Sequence, residues 1–502
     1  MCRYHNRKNC LVQIVEKWGT PFFFFLLFFL LPTNNSTVDG WGYAEEIKYG
    51  YKLFRPHHLL YNALGYTLIN GFKIIGLYPD VLLTLKTLNA LFAFGILIVL
   101  KSILKRMELT ISYQNLWLFF VGSSFGFLRF ATENEVYLIP MFFSLLGSLY
   151  FWLFLKDYQS RYLILASFFA SLACLFHQLH IFWWFALLIG LLFKPTDKKS
   201  VGTYLLISLI VPLSYIAVLF FYEQENITIG TILSFVLHDY HSGGAEATID
   251  FRNFILTPIS FFRTFFQVHG NIVLLLKSFP GLYLLAVLAL TLGVGSIFQL
   301  KKNCYLGKDA VKKIWFRIHL LAFTLHLLFA FFSHGNAEFM VVLVVLIPIL
   351  VSQVYQLPLR FIALFSLSMF IWNISLAIVP NNRINYTNDE ALITFIKQHP
   401  DAIFILSDKN VIANRYFYES GVSIFHRLYS FPISDFQTQL CSLQNEGVSI
   451  YTDLLTRNSP MNRERMLQSK NLEDLILKST TIKTINSFYG PYTIDKVEMN
   501  CD

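Results

Sequence analysis

Between about residue 80 and residue 380 the chain is a succession of apolar runs separated by short polar turns. Many of the runs are long enough for a helix to cross the roughly 30 Å hydrocarbon layer of a bilayer. Spans are predicted near 80–100, 113–129, 135–155, 162–176, 181–193, 201–222, 271–299, 315–332, 339–355 and 361–380. Another apolar stretch ends in the Phe-rich run from Pro21 to Leu31, behind Arg3, Arg7 and Lys8. It superficially resembles a secretory signal, yet no small-residue cleavage site follows it, so it reads as a retained first span. That makes about eleven spans. The polar, aromatic segment after it, through residue 58, reads as the first outer loop, and 223–270 as a long one with a mobile Gly243-Gly244 stretch able to close over a substrate.

Near Asn381 the pattern changes to that of a soluble domain. AIFILSD reads as a strand, NVIANRYFYES as a helix closed by Gly421, and VSIFHRL as a second strand. The expected fold class is an α-helical multi-pass membrane protein over 1–380 with a small extracytoplasmic α/β domain over 381–502.

Composition agrees. Hydrophobic residues make up 55% of the 502 and charged ones 14%, against about 25% in soluble domains, which excludes a soluble globule. The net charge of +9 does not indicate nucleic acid, because the basic residues sit in short clusters between spans. Lys101/Lys105/Arg106, Lys156/Arg161, Lys194/Lys198/Lys199, Lys301/Lys302/Lys308/Lys312/Lys313 and Arg360 fall on one side with the N-terminus. By the positive-inside rule that side is cytoplasmic. An odd number of spans then leaves the C-terminal domain outside, where Cys441 and Cys501 could pair or remain unrelated thiols.

The opposite loops hold fewer Lys and Arg but most of the His, Asp and Glu, and charge at the end of a span is a site hypothesis by default. The first outer loop carries Asp39 in VDGWGYAEEIKYG, then Arg55, His57 and His58 in LFRPHHLLYN. A carboxylate can take the proton from a hydroxyl nucleophile, and the basic cluster can stabilise a departing phosphate. Alternatively Asp39 caps a helix and the basic residues sit among headgroups. The second turn brings Arg129, Glu133 and Glu135 together, as an acceptor pocket or as a local ion pair. In the third, His177 and His180 are spaced to share a helical face. Two metal ligands would fit, although zinc needs a third, for which His238, Asp239 and His241 are the chemical candidates. His334 and Glu338 stand at a later span entrance. Asn-x-Ser/Thr matches at Asn34, Asn35, Asn226, Asn373 and Asn385 are too short to be diagnostic, and P-loop and dinucleotide fingerprints are missing.

VDGWGYAEE with FRPHHLLYN, and ENEVYLIP, together with the extracytoplasmic tail, make residues 1–380 resemble the GT-C glycosyltransferases, specifically the protein O-mannosyltransferase and aminoarabinose transferase group. The resemblance implies a polyprenyl- or dolichyl-phosphate sugar as donor, an extracytoplasmic acceptor and inversion at the anomeric carbon. Asp39 matches the family's first-loop acid, and either Glu133 or Glu135 its second-turn acid. Arg55, His57, His58 and His177 would hold the donor phosphate, while Arg129, His180, His334 and Glu338 would line the acceptor side or cavity. The mannosyltransferases often carry an Asp-Glu pair where this chain has Asp39-Gly40, which leaves acceptor identity and a divalent metal cofactor open. The expected partners are the lipid-linked donor, the acceptor and membrane lipids, in a bacterial inner membrane or a eukaryotic endoplasmic reticulum. The rival readings are a transporter or flippase, which would form no covalent product, and an assembly protein that would tolerate loss of Asp39, His58 and Glu133 together.

Overall fold

A computed structural model describes residues 7–193, 198–238, 249–268, 271–300, 310–430, 437–455 and 472–501. The chain divides into two compact units, the first formed by 1–32 and 50–380, the second by 33–49 and 381–502. The backbone thus passes between them at three points.

In the first unit, α1 (Arg7–Leu30) precedes α2 (Val38–Tyr49), which belongs to the second unit and is taken up below. Between residue 58 and the span predicted at 80–100 lies another helix, α3 (Tyr61–Ile74), absent from the predicted elements because its apolar run is short and mixed. Asp80 caps α4 (Val81–Arg106) by accepting from Leu83 N at 2.8 Å. The span predicted at 113–129 is two helices, α5 (Ile111–Ser123) and α6 (Phe125–Ala131), separated by an extended Ser124 whose hydroxyl bonds to Val121 O. Next come α7 (Leu138–Asp157), α8 (Ser160–Phe176), α9 (Ile181–Leu192), α10 (Lys198–Ser208) and α11 (Ile210–Phe221).

The 223–270 stretch is not a simple loop. Its described part contains α12 (Ile229–Val236) and α13 (Phe251–Phe265), each opened by a reciprocal capping box, at Thr228 and Asp250. Asp239, His241 and the Gly243-Gly244 pair lie outside the described residues, as do Lys194 and the Lys301, Lys302 and Lys308 cluster. The run at 271–299 also breaks, into α14 (Asn271–Ser278) and α15 (Leu282–Ile297), at Pro280, which has no amide hydrogen to continue a helix. The unit closes with α16 (Ala310–Phe332), α17 (Val341–Val354) and α18 (Leu359–Asn373), and α19 (Val379–Arg383) runs across the boundary at residue 380.

Among the described residues, five segments are both long and apolar enough to cross a membrane: Val81–Arg106, Leu138–Asp157, Lys198–Phe221, Val311–Phe332 and Leu359–Arg383. Four shorter apolar helices accompany them. Small residues let these helices approach closely, as at Gly147 of α7, where an added Cβ would lie 3.3 Å from Ala166 O.

The second unit is a five-stranded sheet with helices. The strands are β1 (Ile403–Ile405), β2 (Leu428–Tyr429), β3 (Ile450–Thr452), β4 (Ile476–Ser487) and β5 (Gly490–Met499), in the order β2-β1-β3-β5-β4. β1 is parallel to β2 and β3, whereas β5 runs antiparallel to β3 and β4. α20 (Asp389–Gln398) packs its buried Leu392, Phe395 and Ile396 beside Phe404 and Leu406. α21 (Lys409–Ser420) ends on a left-handed Gly421, as the sequence predicts. Of the predicted strand VSIFHRL only its last residue is in β2; Phe425–Arg427 is a 3₁₀ turn.

α2 packs on α21: Asn414 Nδ2 donates to Val38 O at 3.0 Å, and Lys48 Nζ donates to Tyr418 O at 2.6 Å. Arg415 stacks over Trp41. Cys441, on α22 (Gln437–Asn445), forms a disulfide with Cys501, across a Cα separation of 5.7 Å. A Cys441→Ser protein is expected to lose about 2–5 kcal/mol of stability in this unit, because the bridge closes a long loop. Chemical unfolding followed by a probe in the C-terminal unit, with and without reductant, measures this; coincident curves would contradict it.

Candidate functional site

Each unit carries part of the candidate set. In the second, Asp39 stands exposed in the first turn of α2, where the positive end of the helix dipole favours a carboxylate. Thr37 Oγ1 accepts from Gly40 N at 2.9 Å, so capping there does not depend on Asp39. Glu45 and Glu46 of the same helix are buried, a feature the sequence reading passed over.

In the first unit, three polar turns and the entrance to α17 form one connected arrangement. The turn between α6 and α7 holds Glu133, Asn134 and Glu135, all buried. Asn89, inside α4, organises it: its Nδ2 donates to Glu133 O and Glu135 O, each at 2.7 Å, and to Phe130 O at 3.3 Å. Lys86, one turn earlier, places Nζ 3.9 Å from Glu133 Oε1, with both side chains almost wholly buried. Neither Asn89 nor Lys86 was among the sequence candidates. A polar pair one helical turn apart inside an otherwise apolar span was the signal available.

Arg129 and Glu338 form an ion pair at 3.2 Å, and Tyr137 donates to the second oxygen of Glu338 at 2.9 Å. This joins the 130–137 turn to the start of α17. His334 places Nε2 3.8 Å from Asp250 Oδ2, at the N-terminus of α13.

The Arg55–His58 turn is pinned to the 177–180 turn through Gln178. Its backbone N–H donates to His57 O at 2.9 Å, while its side-chain amide donates to Pro56 O at 3.0 Å and Val236 O at 2.9 Å. Tyr215 donates to the same Pro56 O at 2.7 Å. The rings of His57 and His58 lie 4.1 Å apart, that of Tyr61 lies 6.1 Å from His58, and that of His177 lies 5.4 Å from Tyr137. His177 and His180 do not share a face. His177 ends α8 in an extended conformation and stays with the turn, whereas His180 Nδ1 bonds to Ser144 Oγ of α7 at 2.7 Å. Among the described residues, His, Cys, Asp and Glu side chains form no group of three or more able to hold a metal ion.

The electrostatics follow from burial. Burial holds the His58 imidazole well below its ordinary pKa, and His57, His177 and Arg55 push the same way. Burial, with His57 and His326, brings His177 down to about 3. The Tyr61 hydroxyl is raised by burial and by Glu135 and Glu133. His58 and His177 are therefore neutral at pH 7 and can offer hydrogen bonds, not charge. A histidine whose folded pKa is depressed costs stability as pH falls from its unfolded value near 6.5 toward the folded one. At pH 4.5 protonation of the unfolded state alone is expected to remove roughly 2–3 kcal/mol through His177. Thermal unfolding at pH 7 and 4.5 should show a smaller loss in His177→Gln; equal losses would contradict the assignment.

Beside these turns lies a cavity of about 360 Å³, lined by Cys174, Gln178, Ile181, Val211, Tyr215 and Val236, among others. It lies between α8, α11 and α12, and Pro212, Ile216 and Ile232 complete its apolar wall.

No protein-family model and no curated protein matches the chain by sequence. Solved structures do match its fold. ArnT from Cupriavidus metallidurans bound to undecaprenyl phosphate superposes with a TM-score of 0.55 at 8% identity, over 97% of this chain and 98% of that one. ArnT in the apo state gives 0.43 at 10% identity, over 97% and 96%. The Archaeoglobus fulgidus oligosaccharyltransferase, tethered to an acceptor peptide containing an NVT sequon, gives 0.49 at 11%, over 96% and 74%. On the first of these superpositions the chain has the fold of ArnT.

Proposed function

We propose that this protein is a membrane glycosyltransferase that moves a sugar from a polyprenyl-phosphate carrier to an acceptor outside the cytoplasm. The observation that carries the reading is the Arg55–His58 turn, held by Gln178 against an apolar cavity between α8, α11 and α12. A lipid-phosphate donor asks for this pairing of polar and greasy surfaces. Arg55 supplies the positive charge for the phosphate, and His57 together with the neutral His58 and His177 supplies hydrogen bonds. The isoprenoid chain occupies the cavity.

Asp39 takes the proton of the acceptor hydroxyl as its oxygen attacks the anomeric carbon. The bond from that carbon to the phosphate oxygen breaks, and the lipid phosphate leaves with the electron pair, inverting the configuration. Glu133 and Glu135 shape the acceptor side, the first with its charge balanced by Lys86. Arg129, Tyr137 and Glu338 brace that turn. The Cys441–Cys501 bridge favours an oxidising compartment for the second unit, which positions the acceptor. The test is turnover of radiolabelled polyprenyl-phosphate sugars by the purified protein in proteoliposomes, read as release of polyprenyl phosphate. Transport of the intact donor with no cleavage of the sugar bond would reject the proposal.

A further inference from the structure

A second cavity, of about 500 Å³, lies in the first unit where α4 ends, α5 and α16 begin and α17 ends. Twenty residues of α4 separate Lys86 from Arg106, so this is the opposite end of the helices, about 30 Å from the acidic turn. Its walls combine three features. Among the described residues of the lining, Lys312, Lys313 and Arg317 meet one carboxylate, Glu108, whose Oε2 pairs with Lys312 at 2.7 Å, leaving positive charge in excess. The N-terminus of α5 opens onto it at Thr110, whose side chain makes no cap, so helix amide donors add to the field. Trp117, Phe316 and Leu357 supply an apolar flank.

A fourth observation is independent of charge. Ser352 Oγ and Gln353 Oε1, at the end of α17 and in the cavity lining, are buried and have no hydrogen-bond partner among the described residues. Gln353 spends its amide nitrogen on Ile349 O. A buried polar atom left so costs about 1–3 kcal/mol, which makes it a mark of a missing ligand. The hydroxyl can donate to a phosphate oxygen; the amide oxygen needs a donor, such as a headgroup hydroxyl.

We propose that this cavity binds an anionic glycerophospholipid with a hydroxyl-bearing headgroup. The phosphate sits against Lys313, Arg317 and the α5 N-terminus, a headgroup hydroxyl donates to Gln353, and the upper acyl chains lie on Trp117 and Phe316. The site is remote from the proposed donor turn and does not depend on the transferase reading.

The test is native mass spectrometry of the purified full-length protein, titrated with phosphatidylglycerol, with phosphatidylcholine of the same acyl chains, and with inorganic phosphate. Phosphatidylglycerol is expected to bind roughly twentyfold more tightly than phosphatidylcholine, at about fivefold per cationic side chain. Lys313→Gln/Arg317→Gln should bring the two lipids within about threefold while leaving donor turnover unchanged. Glu108→Gln should tighten phosphatidylglycerol binding several-fold, and it decides the matter if the double variant fails to fold. An unchanged preference in the double variant, no gain in Glu108→Gln, or displacement of the lipid by equimolar inorganic phosphate would each overturn the proposal, the last by showing a free-anion site.

Discussion

An Asp39→Asn protein is expected to insert and fold normally yet turn over lipid-linked sugar about 10²–10⁴-fold more slowly, the usual worth of a positioned general base. The substitution keeps the side chain's shape and removes its ability to take a proton. Its structural cost is small: Thr37 caps the helix, and loss of one exposed charge near a helix N-terminus is worth about 0.3–1 kcal/mol. The loss should fall on kcat with KM little changed, because the base acts as the acceptor oxygen attacks. Single-turnover assays of the purified variant separate the two parameters. A variant with wild-type kcat would remove Asp39 from the chemistry and leave it as a helix-terminus charge.

The second large effect is expected at Asn89, which contacts neither donor nor acceptor in the proposed reaction. Asn89→Ala removes a donor shared by three buried backbone carbonyls, those of Glu133 and Glu135 in the turn and of Phe130 in α6. Each carbonyl left unsatisfied costs about 1–3 kcal/mol, so a loss of roughly 3–5 kcal/mol is expected, together with most of the activity. Asn89→Asp should not rescue, since a carboxylate cannot donate to carbonyls. Thermal unfolding in detergent measures the first effect and the transfer assay the second. A shift of under about 1 kcal/mol would show that the turn is held by other contacts.

Much of the helical unit is readable from hydropathy, because an apolar run in a bilayer must satisfy its own backbone and so becomes a helix. What hydropathy averages away is the interruption. Ser124 and Pro280 are single residues inside apolar runs, and each splits a predicted span into two helices. The candidate site is partly legible for a related reason. Charged residues in turns stand out against their surroundings, which marks Arg55, Glu133, Glu135, Arg129 and Glu338. Asn89 and Lys86 are hidden by the Leu, Ala and Phe around them. Histidine spacing misleads at 177 and 180, since α8 ends at Phe176 and the extended His177 breaks the helical path to His180. Gln178, which ties two turns together, carries no charge to draw attention.

The docking of α2 on α21 bears on biosynthesis. Trp41 and Lys48 leave the ribosome long before Arg415 and Tyr418, their partners, have been made. About 370 residues intervene, which at ordinary elongation rates is roughly 20–70 s. During that interval an aromatic helix waits, with one side uncovered, while a train of greasy helices is threaded into the bilayer behind it. Shortened proteins that stop near residue 381 would keep that helix permanently without its mate, and its aromatic flank would then be a natural landing place for a chaperone or for another nascent chain.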